Sequence, residues 1–234
     1  MIKFFRKIRY DLMEKNKTGI YLKYAIGEII LVVIGILIAV SINNWKQSID
    51  LKEVEQNLYV DLIQELRIDL GGIQGDLYYN NKYLLRYNRA SEIIINDPQR
   101  QLIDTLAIIA TELTNFSDFK NEESAYNKLA TSGKLQLMTN KEILTRLQNL
   151  GLLYNYINRL EKNQEQIMFT IVPKLTKYLR IKPFQVMMPE KLYDYKFHND
   201  IELMIKIGIE KDGLYKQAEI ELSDLINLME EELN

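Results

Sequence analysis

The chain has 234 residues, with 30 basic and 32 acidic side chains, one histidine and no cysteine. A lone histidine without cysteine excludes the usual zinc ligand sets, and the missing cysteine excludes a lipoprotein anchor after the apolar stretch described below. A cysteine-free chain suits an oxidising compartment, although composition alone does not assign one.

The first residues are basic. Lys3, Arg6, Lys7, Arg9, Lys15, Lys17 and Lys23 are opposed only by Asp11 and Glu14, so the remainder of the chain is net acidic. Ile2, Phe5, Ile8, Leu12 and Met13 recur at helical spacing, with the cations on other faces. Residues 1–19 are therefore expected to form a cytoplasmic amphipathic segment lying in an anionic headgroup layer. Asn16-Lys17-Thr18-Gly19 is the turn that would send the chain into the membrane. No nucleic-acid contact is expected, because the basic patch is short and its aromatics share the apolar face.

Residues 24–42 read YAIGEIILVVIGILIAVSI, with Glu28 as the single charge. As a helix this run is roughly 28 Å long, about the thickness of a bilayer core. It predicts a transmembrane anchor over residues 20–45. Basic flanks stay on the cytoplasmic side, so the N-terminus is expected inside and the acidic remainder outside a bacterial inner membrane, in the periplasm. Ala39-Val40-Ser41 has the small-x-small form of a cleavage site, which makes a removed signal peptide the alternative. Trp45, following Asn43-Asn44, reads instead as the interface anchor of a retained span. Gly35, Ala39 and Asn43 share one helix face, on which two helices can approach closely. Glu28 lies about one turn inside the cytoplasmic end, as a boundary residue, as part of the same helix association, or as a group that conducts protons or ions.

The rest reads as all-α: the span continues into an elongated antiparallel helical bundle over residues 46–234. Trp45, Ile49, Val54, Leu58, Leu62, Leu66, Ile73, Leu77 and Leu84 form one apolar stripe. Gly71, Gly72 and Gly75 weaken that helix and mark a candidate bend, and Asn96-Asp97-Pro98 should end it. Short helices are expected over residues 99–113 and 122–131, separated by the loop Asn115-Phe116-Ser117-Asp118-Phe119. Asn140 is a good N-cap for a long helix over residues 141–180, which Pro173 should kink or break. Residues 181–197 have no clear period. A last helix is expected over residues 200–232, with Gly208 and Gly213 as possible interruptions, leaving His198 in a loop.

No catalytic motif is present: H-E-x-x-H, a P-loop and G-x-S-x-G are all missing. No cofactor, metal site or enzymatic activity is expected. Tyr79, Tyr83 and Tyr87 share a helix face at spacing four. Such a stripe packs on neighbouring helices or stacks on a ligand, and Phe184 is a further candidate for ligand or partner contact.

The opening MIKFFRKIR and the run NKTGIYLKYAIGEIILVVIGILIAVSINNW resemble a family of small, uncharacterised single-pass membrane proteins of Gram-negative bacteria, catalogued as a domain of unknown function. The block from Glu123 to Leu135, ESAYNKLATSGKL, followed by Thr139-Asn140-Lys141-Glu142-Ile143-Leu144, is similar to a second recurring block of that family. The resemblance implies an N-terminal anchor and a helical extracytoplasmic domain, and no activity.

Two functions compete. The first is a non-enzymatic interaction or scaffold protein anchored in the inner membrane, with the bilayer and a second copy or another inner-membrane protein as partners. The alternative is a periplasmic ligand-sensing subunit that signals through a membrane partner.

Overall fold

The computed structural model describes residues 18–119 and 124–234. The amphipathic segment expected over residues 1–19 lies outside the described residues as far as Lys17, as does the start expected at Glu122 for the third helix; Thr18 and Gly19, expected in a turn, already belong to the first long helix. The described chain is helical almost throughout. Helix α1 (Thr18–Asn96) is followed by α2 (Ile103–Glu112), α3 (Ala125–Thr131), a 3-10 turn (Lys134–Leu137) and α4 (Lys141–Tyr178). A two-stranded antiparallel hairpin, β1 (Leu179–Arg180) and β2 (Gln185–Val186), leads to α5 (Pro189–Leu192) and α6 (Tyr195–Leu233). The molecule divides into two units between Val54 and Glu55.

Several helix ends follow directly from side-chain chemistry. Asn140 accepts the backbone N–H groups of Glu142 and Ile143, satisfying donors that the first turn of α4 leaves open. Ser124 and Asp194 cap α3 and α6 in the same way. Asp97 ends α1 by accepting the N–H groups of Gln101 and Leu102 and the Tyr193 hydroxyl, and these hydrogen bonds hold its carboxyl below the usual range.

One expectation is corrected and two are narrowed. The glycines at 71, 72 and 75 do not interrupt α1, which runs on to Asn96. Pro173 lies inside α4 without ending it. A proline deprives the carbonyl four residues earlier of its partner, and that residue, Phe169, is exposed, where water can replace the bond. Finally, α6 begins at Tyr195 because Asp194 caps it, so His198 sits in a helical first turn and not in a loop.

In the unit from Glu55 to Asn234, α1 and α6 run antiparallel, as the pairs Arg67–Glu230, Gln74–Glu219 and Asn80–Gly208 show. Helix α4 is antiparallel to α6 through Arg146–Glu221 and Tyr156–Glu210. It is parallel to α1 through Glu55–Thr139 and Tyr154–Asp69. Two apolar clusters fill this bundle. One joins Leu58–Ile73 of α1 to Ile143–Ile157 of α4 and Tyr215–Met229 of α6. The other joins Tyr87–Ile93 of α1 and most of α2 to Ile171, Leu175 and Phe197–Ile205.

Candidate functional site

The unit ending at Val54 presents one exposed helical stretch. Every side chain from Ile29 to Val54 is exposed, and the residues as far as Ile42 are almost all apolar. An apolar run of this length has no counterpart on a water-facing surface, where exposed apolar patches stay small. By length and composition the helix can cross a membrane. Glu28 is half-buried, whereas Gly35, Ala39 and Asn43 are exposed on one face. A side chain added at Gly35 would meet nothing within 4 Å in the single chain. Trp45 is among the most exposed large side chains of the stretch, at 68%.

A second feature lies in the bundle and was not foreseen. Between the two apolar clusters, each long helix places polar groups at the same level: Asp76 and Asn80 on α1, Glu161 and Gln164 on α4, Lys211 and the Gly208 carbonyl on α6. Lys211 is fully buried. Its ammonium donates to the Ser117 carbonyl at 2.7 Å and to Gln164 Oε1 at 2.9 Å. The Glu161 carboxylate accepts the Tyr215 hydroxyl and, at 3.0 Å, the Phe119 N–H. Ser117 Oγ lies 3.0 Å from the same Tyr215 hydroxyl, and the Asn80 amide donates to the Gly208 carbonyl at 2.8 Å. The loop 115–119 is thereby fastened by its backbone to α4 and α6.

Burial dominates the electrostatics of this layer. It pushes Glu161 up to about 7, against the opposing pull of the Tyr215 and Phe119 hydrogen bonds. It brings Lys211 down to about 8, against attraction from Glu161, Asp76 and Asp118. Both groups are drawn toward neutrality by the cost of holding charge away from water. One sequence signal could have found the layer. Lys211 falls in step with Met204, Gly208, Tyr215, Ala218 and Leu222, so a lysine occupies the buried stripe of α6.

The tyrosines divide. Tyr87 is buried, with its hydroxyl between the carbonyls of Glu112 and Asn115, at 2.9 and 2.5 Å, which share its one proton, so it packs α2 onto α1. Tyr79 and Tyr83 are half-buried with ring centroids 4.8 Å apart. Phe184 is exposed in the turn of the hairpin.

His198 Nε2 lies 2.9 Å from Ser91 Oγ and 3.2 Å from Glu202 Oε1. The carboxylate and the hydroxyl share one ring nitrogen. In a nucleophilic triad the acid orients the opposite nitrogen, so this trio joins α1 to α6 without forming a relay. Among the described residues no group of three His, Asp or Glu side chains is arranged to hold a metal ion.

A model of a family of unknown function (DUF6090) matches residues 28–205. The chain belongs to this family. The DUF6090 match takes in most of the apolar stretch, the loop 115–119 and the Glu161–Gln164 face, and it stops before Lys211 and Tyr215. No curated protein and no solved structure matches the chain.

Proposed function

We propose that this DUF6090 protein is a non-enzymatic interaction protein held in a bacterial inner membrane by residues 20–45. Its N-terminus is cytoplasmic, and its helical unit is presented in the periplasm. The observation that carries this reading is the fully exposed helix from Ile29 to Val54, apolar over its first half. The basic flank before it supports the orientation. Its partners are the bilayer and either a second copy, through the Gly35–Ala39–Asn43 face, or another inner-membrane protein. The test is a pair of C-terminal reporters, one active only in the periplasm and one only in the cytoplasm. The periplasmic reporter should be active, and activity of the cytoplasmic one alone would reverse the assignment. N-terminal sequencing of the mature protein should find residues 1–45 retained.

The half-buried Tyr79–Tyr83 ring pair favours a second reading, a sensing subunit that takes a planar ligand and signals through a membrane partner. A ligand-induced rise in melting temperature that Tyr83→Ala removes would support it.

A further inference from the structure

We propose that the end of the bundle formed by the β1–β2 hairpin docks on an anionic lipid surface. The hairpin turn carries Ile181 at 62% exposure and Phe184 at 45%, and Met187 directly after β2 is 48% exposed. Three cations close by in sequence, Lys177, Arg180 and Lys182, are also exposed. None of the three is held in an ion pair among the described residues, although Arg180 also reaches Gln185 at 3.5 Å. No acidic residue lies between Lys177 and Met188, whereas over the whole chain acids outnumber bases.

Exposed apolar side chains interleaved in sequence with long cations match the boundary between headgroups and acyl chains. There the apolar groups enter the interface, and the lysine and arginine stems reach back to the phosphates. Unpaired cations supply the attraction to an anionic surface and give little preference for a neutral one. The hairpin is short, with two residues in each strand, so Ile181, Lys182 and Phe184 all fall in its four-residue turn. Within its own unit this end is far from Glu55, since the α1 residues between them span roughly 60 Å.

The experiment uses the full-length protein in phosphatidylcholine nanodiscs, mixed with separate vesicles and separated by flotation. The discs should float with vesicles containing phosphatidylglycerol, stay behind with pure phosphatidylcholine vesicles, and detach as salt is raised. Each cation near an anionic surface contributes about fivefold in affinity. Arg180→Gln/Lys182→Gln should therefore weaken vesicle binding by about tenfold or more, and Ile181→Ser/Phe184→Ser should also weaken it. The basic residues before the span are common to all variants, so the difference between variants reads the hairpin alone. No binding to anionic vesicles, equal binding to neutral ones, or binding unchanged in both variants would overturn the proposal.

Discussion

Lys211 Nζ lies 3.9 Å from Glu161 Oε1 with the two side chains 0% and 4% exposed. Each is better bonded to other groups than to its counterpart: the ammonium to Ser117 and Gln164, the carboxylate to Tyr215 and Phe119. Lys211→Met keeps the volume but leaves Glu161 buried without its cation and the Ser117 carbonyl without its donor. Breaking a buried pair from one side costs about 3–5 kcal/mol. The melting temperature of the full-length protein in detergent should fall accordingly, and Lys211→Met/Glu161→Gln should recover part of the loss. A double variant no better than the single one would show that the two groups are not coupled.

Burial raises Glu161 from its ordinary 4.5 to about 7, so the folded protein keeps a proton that the unfolded chain releases earlier. Its stabilising contribution is complete below pH 4.5 and is lost as the pH rises to about 7. Lys211 behaves in the opposite sense, with its contribution complete above 10.5 and lost as the pH falls to about 8. The difference in melting temperature between wild type and Glu161→Gln should therefore fall between pH 4.5 and 7 and level off above it. A difference independent of pH would mean that Glu161 titrates normally.

The glycines separate into two kinds. A Cβ at Gly151 would meet Ser124 Oγ at 2.8 Å and Ser124 Cβ at 3.3 Å, displacing the residue that caps α3. Gly151→Ala should cost about 1–3 kcal/mol through overpacking, despite the better helix propensity of alanine. At Gly75 a Cβ meets nothing within 4 Å, so Gly75→Ala should stabilise α1 by up to about 1 kcal/mol. Chemical denaturation of the two variants checks the signs, and two changes of the same sign would be the wrong result.

Gly35 also has open space around it in the single chain. Replacing it with isoleucine should leave the monomer undisturbed, so any effect must arise from a neighbouring helix. Crosslinking or single-molecule counting in bilayers should show weaker oligomers for Gly35→Ile. An unchanged oligomer, or a wild type that is monomeric, would remove this face as an interface.

His198→Ala removes the contact that Nε2 makes with Ser91 across α1 and α6. The expected cost is about 1 kcal/mol in unfolding free energy, with no loss of biological function beyond what that destabilisation explains. Complete loss of function in a stably folded variant would assign His198 a role that its geometry does not suggest.

The long helices were legible because their determinants are local. The apolar stripe of α1, the Asn140 cap and the Asn96-Asp97-Pro98 stop each act within a few residues, and the structure follows them. The start of α6 was misplaced by five residues because Asp194 was not read as a cap. The hairpin was hidden because two residues per strand are too few to show alternation. The polar layer was hidden for a different reason. Lys211 is polar by composition and apolar by position, and its partner carbonyl at Ser117 lies 94 residues away.

The antiparallel pairing of α1 with α6 also fixes an order of assembly. Arg67 and Glu230 are 163 residues apart, and Ser117 must wait for Tyr215, 98 residues later. At about 5–20 residues per second, on the order of ten seconds separates synthesis of α1 from completion of its partner. During that interval Leu58, Leu62, Leu66 and Ile73 have no α6 to cover them, and the loop carbonyl at Ser117 must rely on water. Once α4 has been made it covers one side of this stripe, and the side that faces α6 stays open until that helix is made.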